Sequence, residues 1–140
     1  TKIVDTIIQL SKKFKLVFAI HPRTQNNLKK NNLLNRLLNE NNILIIGPQS
    51  YFTNIHLITK SKLVITDSGG IQEETSHLNI PCLTLRENTE RPITITKGTN
   101  QLVKLSEIEK KIHTCKKKKK KNKLGRKNCK KKKKKKKKIY

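Results

Sequence analysis

The chain has 140 residues and a formal net charge of +25, from 34 Lys and Arg against 9 Asp and Glu, spread so unevenly that the chain divides before it can be read. All the acids precede residue 116 and nearly everything after it is lysine, so residues 1–114 are expected to form one domain and 115–140 a disordered lysine-rich tail that cannot bury a core. No apolar run approaches the ~18–20 residues that span a bilayer. Cys82, Cys115 and Cys129 lack C-x-x-C spacing, which argues against a zinc site or a disulfide framework and makes a reduced, cytoplasmic compartment the expectation.

In chain order, Ile3, Val4, Ile7, Ile8 and Leu10 form one helical stripe, followed by Leu16-Val17-Phe18-Ala19-Ile20 as a short buried strand. Leu28, Leu33, Leu34, Leu37 and Leu38 make a second helical stripe that ends in an Asn-rich stretch before the strand Ile43-Leu44-Ile45-Ile46. Gly47-Pro48 stops that strand. A short helix is expected over 51–58, a third strand at Leu63-Val64-Ile65-Thr66, a helix over 70–78 and a fourth strand at Cys82-Leu83-Thr84-Leu85. Asn79 suits the left-handed position that closes a helix, and Pro81 prevents continuation. Gln101-Leu102-Val103 reads as a last short strand, with Ser106 capping a final helix that has Glu109 at its third position.

Apolar strands alternating with helices predict an α/β domain, a Rossmann-like parallel sheet with helices on both faces. Such sheets bind ligands at the carboxyl ends of their strands, so the loops at His21-Pro22, Gly47-Pro48, 67–70 and 86–91 are expected to open onto one crevice. The segment Thr66-Asp67-Ser68-Gly69-Gly70-Ile71-Gln72-Glu73-Glu74 leaves a strand, turns on two glycines and enters a helix. Free amides and the dipole at a helix start favour an anion, and glycines let a phosphate approach the backbone. Glu74, one turn on, reads either as an acceptor for two ribose hydroxyls or as a surface acid. Arg86 and Arg91 follow the next strand and supply planar donors suited to a diphosphate, or solvated surface charge.

These residues, with Pro81-Cys82-Leu83-Thr84-Leu85-Arg86, Asn88-Thr89-Glu90-Arg91-Pro92 and the upstream His21-Pro22-Arg23-Thr24, closely resemble the C-terminal domain of UDP-N-acetylglucosamine 2-epimerases over nearly all of residues 1–113. The resemblance implies the second domain of a glycosyltransferase-B-like fold. It also implies an isomerase of amino-sugar metabolism and polysaccharide biosynthesis that inverts C2 by eliminating UDP to a glycal and adding it back, with no cofactor and no metal. It assigns Ser68, Gly69 and Gly70 to the diphosphate, Glu74 to the ribose, Arg91 to a phosphate and His21 to the same substrate cleft. The partners implied are the UDP-sugar, an N-terminal domain and, in the full-length protein, a second copy as a homodimer.

Three departures qualify this. The family places an aromatic near the uracil after a Pro-Tyr run, whereas Tyr51-Phe52 here leads to Thr53-Asn54, and Asn79 stands for the usual glycine. The chain opens on Thr1, which reads as a fragment without the N-terminal domain that carries the acid and base for the C2 proton, so no catalytic residue is assigned. A nucleotide-sugar-binding module or glycosyltransferase half remains the second reading. Non-specific polyanion binding by the tail, to nucleic acid or an anionic membrane surface, is the third, beside the reading of the tail as translated A-rich sequence.

Overall fold

The computed structural model describes residues 2–115, so all of the expected tail but Cys115 lies outside the described residues. The chain divides into two compact units, Thr1–Ser61 and a second that begins at Lys62.

The first unit contains α1 (Lys2–Ser11), β1 (Leu16–Ala19), α2 (Pro22–Lys30), α3 (Leu34–Leu38), β2 (Ile43–Ile46) and α4 (Tyr51–Lys60). Strands β1 and β2 pair in parallel, Leu16 opposite Ile43 and Ala19 opposite Ile46. Val4, Leu37 and Ile43 are the buried centre, with Ile7, Ile8, Leu16, Phe18, Leu28 and Leu33 packed against them, so most of both stripes faces the core, while Ile3 and Leu38 are more than half exposed. Val17 and Leu44, register partners on the other face of the pair, are both more than half exposed.

The second stripe is not one helix. Asn32 adopts φ 54°, its N–H donates to the Lys29 carbonyl at 3.1 Å, and the Leu33 N–H donates to the Leu28 carbonyl at 2.8 Å. This Schellman pair closes α2, and α3 starts anew. Asparagine tolerates the left-handed region better than other residues with a Cβ, which makes Asn32 the natural break point.

The second unit contains β3 (Val64–Thr66), α5 (Gly69–His77), β4 (Cys82–Thr84), α6 (Pro92–Thr96), β5 (Asn100–Leu102), a 3-10 turn (Leu105–Glu107) and α7, residues 108–115. Strand β4 is central and pairs in parallel with both neighbours, Val64 and Asn100 flanking Cys82. All three of its residues are buried, as expected of a strand covered on both faces. Helix α5 closes as the sequence predicts, with Asn79 at φ 56° and the Ile80 N–H donating to the Thr75 carbonyl at 2.9 Å. Two expectations need correction. Ser106 does not cap the last helix but lies inside the 3-10 turn, whose cap position is Lys104. Helix α6 was not anticipated, although Pro92 at its first turn is a start signal.

The architecture is α/β with parallel strands, as the alternation of apolar runs implies. Parallel pairing brings the carboxyl ends of β3 and β4 to one edge of the second unit, where the Leu85 N–H extends the ladder to the Thr66 carbonyl at 2.9 Å. In the first unit the ends of β1 and β2 are likewise adjacent, the Ile20 N–H donating to the Ile46 carbonyl at 2.9 Å. No helix among the described residues is long and apolar enough to cross a membrane.

Candidate functional site

Helix α5 begins directly where β3 ends. Ser68 occupies its cap position in extended conformation, φ −84° and ψ 132°, and its side chain makes no hydrogen bond to the helix. Instead its N–H donates to Thr66 Oγ1 at 3.0 Å, which folds the chain from strand into helix. The first amides of α5 therefore have no side-chain cap from Ser68, and they point out of the helix start with the positive end of its dipole.

Gly69 and Gly70 are the first two helical residues rather than a turn. Neither has positive φ, so the expectation that the chain turns on them is corrected. A Cβ at either would meet no atom within 4 Å. Their backbone could thus carry a side chain without strain; what glycine leaves here is bare amide surface that a phosphate can reach closely.

Glu74 stands one turn along the same helical stripe as Gly70. Its Oε2 is buried and has no hydrogen-bond partner. A buried acceptor left unmatched costs roughly 1–3 kcal/mol, more when charged, so a bound donor at this atom would recover a substantial penalty. Gln72 Nε2 is the other buried side-chain atom among the described residues left without a partner.

The second motif is held against α5. Arg91 Nε lies 3.2 Å from Glu73 Oε1, both side chains about half exposed at 49% and 52%. Thr89 Oγ1 donates to Gln72 Oε1 at 2.7 Å. Arg86 follows the end of β4, its N–H turned back onto the Thr84 carbonyl at 2.9 Å, with its side chain exposed. The second unit therefore gathers the bare amides at Gly69 and Gly70, an unpaired carboxylate oxygen on Glu74 and the Arg91 guanidinium around one helix. Such a set matches a ligand that is anionic at one end and hydroxyl-bearing at the other.

His21 belongs to the first unit and has a local task there. It caps α2, its Nδ1 accepting from the Arg23 N–H at 3.2 Å, with Pro22 at the first helical position. An acceptor at Nδ1 places the proton of the neutral ring on Nε2, leaving the exposed Nε2–H as a donor. Tyr51 and Phe52, in the first turn of α4, are 63% and 83% exposed and meet edge to face, centroids 5.7 Å apart at 73°. A concavity of the first unit is lined mainly by apolar side chains, Ile3, Val4, Ile7, Phe18, Leu28 and Leu33 among them, with Lys2 and Thr24 as its polar members.

The sequence reading missed the interior that supports this site. Gln72, Thr84, Thr94 and Asn100 are all at most 3% exposed and share a hydrogen-bonded cluster through Asn100. Thr84, a polar residue inside the apolar strand Cys82-Leu83-Thr84-Leu85, was the available signal. Cys82 is fully buried beside them, and desolvation pushes its thiol above the ordinary 9.0, opposed by hydrogen bonds with Thr75 and Thr84. Among the described residues no group of three or more His, Cys, Asp or Glu could hold a metal ion.

Residues 1–139 match the family described as UDP-N-acetylglucosamine 2-epimerase. The chain is 47% identical over 104 residues to the UDP-N-acetylglucosamine 2-epimerase of Methanococcus maripaludis, covering 73% of this chain and 28% of the relative. Among solved structures it is similar to the Methanocaldococcus jannaschii UDP-GlcNAc 2-epimerase in complex with UDP-GlcNAc and UDP, with TM-score 0.75 and 40% identity over 81% of this chain and 33% of that one. The Neisseria meningitidis UDP-GlcNAc 2-epimerase bound to UDP-GlcNAc gives TM-score 0.70 and 35% identity, over 80% and 31% of the two chains. The chain thus spans about a third or less of the proteins it matches.

Proposed function

This chain belongs to the UDP-N-acetylglucosamine 2-epimerase family, and we propose that it is the UDP-binding part of such an enzyme, one that interconverts UDP-N-acetylglucosamine and UDP-N-acetylmannosamine. The observation that carries the reading is the buried, unpartnered Glu74 Oε2 on the same helix as the bare Gly69 and Gly70 amides, with Arg91 tethered beside them. In this assignment Ser68, Gly69 and Gly70 receive the diphosphate, Arg91 a phosphate oxygen, and Glu74 the vicinal ribose hydroxyls. His21 offers its Nε2–H to the substrate while its Nδ1 caps α2.

The reaction breaks the bond from C1 to the UDP oxygen as the C2 proton leaves, giving a glycal; UDP then re-adds to the same face at C1 while a proton is delivered to the opposite face at C2. Negative charge grows on the departing diphosphate, so preorganised amides and a guanidinium aimed at it lower the barrier. No residue of this chain is assigned as the base at C2. We place that group in the remainder of the full-length enzyme, with which this part closes the cleft, in a cytoplasmic homodimer, and we assign residues 1–114 as the UDP-binding domain and 115–140 as a lysine-rich tail outside it.

Titration calorimetry of the 140-residue chain with UDP tests the reading. Charge-assisted hydrogen bonds contribute about 1.5–3 kcal/mol each, so Arg91→Ala and Glu74→Ala should each weaken binding about tenfold or more. Arg36, 2.7 Å from Asp5 in the first unit, is the control, and Arg36→Ala should bind as wild type. Equal losses at Arg36 and Arg91 would sink the assignment.

A further inference from the structure

The backbone of Arg91 is bracketed by two threonine hydroxyls. Its N–H donates to Thr89 Oγ1 at 3.0 Å, and its carbonyl accepts from Thr94 Oγ1 at 2.7 Å. Each hydroxyl has one proton, so the direction of every other bond follows. Thr89 gives its proton to Gln72 Oε1 at 2.7 Å. Thr94 has used its own on the Arg91 carbonyl and therefore accepts from Asn100 Nδ2 at 3.1 Å. The same Asn100 amide donates its other proton to Gln72 Oε1 at 3.0 Å, and its Oδ1 accepts from Thr84 Oγ1 at 2.7 Å. Both arms of the bracket thus return to one atom, Gln72 Oε1, inside a fully buried side chain.

That side chain also carries a cost. Gln72 Nε2 is buried without a partner, so an apolar residue of similar volume would spare the protein an orphaned donor. What such a residue could not supply is the acceptor on which Thr89 and Asn100 converge. Gln72 lies on α5, three residues into the helix from Gly69. Its amide therefore ties the arginine loop to the helix that presents the bare amides.

We propose that Gln72 is a positioning residue for diphosphate recognition, fixing the main chain at Arg91 through Thr89 and through Asn100 with Thr94, so that the guanidinium starts from one place beside α5. Asn100 and Thr94 form the second arm of the same device. The inference rests on the reading of Arg91 as a phosphate ligand and names what sets its position. Gln72 acts through Arg91 and touches no substrate.

A double-mutant cycle on the 140-residue chain, read as UDP affinity by calorimetry, tests this. Gln72→Met keeps length and volume and removes the acceptor. It should weaken UDP binding roughly tenfold in the wild-type background and less than about twofold when Arg91 is already alanine. An equal loss in both backgrounds, or no loss in either, overturns the positioning role and leaves the functional reading standing. Wild-type affinity in Arg91→Ala alone overturns that reading, and this inference with it. Should Gln72→Met fail to fold, Thr89→Val against Thr89→Ser repeats the cycle at the half-buried end of the bracket. Valine should lose affinity only while Arg91 is present, and serine, which keeps the hydroxyl, should restore it; loss in both threonine variants overturns the proposal.

Discussion

Arg91 Nε and Glu73 Oε1 stand 3.2 Å apart on the surface of the second unit, so the guanidinium assigned to phosphate is shared with a carboxylate. With both partners about half exposed, the pair contributes only ~0–1 kcal/mol to stability. Any phosphate that takes Arg91 must compete with Glu73 and lie near its charge. Glu73→Gln is therefore expected to tighten UDP binding by about two- to fivefold, with the melting temperature unchanged within about 2 °C. Weaker binding in this variant would mean that Glu73 aims the arginine rather than competing for it.

His21 caps α2, and the proposed contact with substrate is a second task that mutation can separate from it. Loss of a side-chain cap costs about 0.5–2 kcal/mol, whereas asparagine is among the best caps. His21→Ala should lower the denaturation midpoint of the 140-residue chain, and His21→Asn should restore it. If the exposed Nε2–H also meets substrate, both variants bind the UDP-sugar more weakly than wild type. Stability restored together with full affinity in His21→Asn would reduce His21 to a cap.

Gly98 follows α6, its N–H bonded to the Ile93 carbonyl at 3.2 Å. A Cβ there would collide with the Ser76 side chain and the Thr94 carbonyl, while one at Gly47 would meet nothing within 4 Å. Backbone cannot swing aside as a side-chain end can, so Gly98→Ala should cost ~1–3 kcal/mol. Thermal denaturation should show a drop of several degrees for Gly98→Ala and none for Gly47→Ala. Equal melting temperatures would contradict the tight packing of α6 on α5.

Cys82 gives a pH dependence of known sign. Burial raises its thiol above the ordinary 9.0, so in the unfolded chain the thiol loses its proton first. The contribution is fully present below pH 9 and is lost as pH rises above it. In chemical denaturation between pH 8 and 10.5, wild type should lose more stability than Cys82→Ala. In the native protein at pH 8, Cys82 should resist alkylation. Parallel stability curves for the two proteins would refute the linkage.

Much of this was legible in the residues alone. The period of Val4, Ile7 and Ile8 has to be helical to bury one face, the runs 16–20 and 43–46 are strand-length, and Asn79 ends α5 because a left-handed residue with a Cβ is best asparagine. The helix start at Gly69 and Gly70 could be read as an anion site because its chemistry is local, amides freed at a helix start needing no distant partner, whereas the Thr89-Glu90-Arg91-Pro92 run takes its phosphate role only from the family resemblance. What tertiary structure alone decided is everything that depends on which atoms meet. Asn32 breaks a stripe that periodicity alone reads as continuous, because the energy of a reversed helix end lies in bonds back to the preceding turn. Glu73 pairs with the half-exposed Arg91, and Gln72 joins residues 17 and 28 positions away in one hydrogen-bonded cluster. Hydrogen bonds between side chains leave no period in a sequence; they depend on the packing of β4, β5 and α5, which excludes the water that would otherwise compete for every one of those groups.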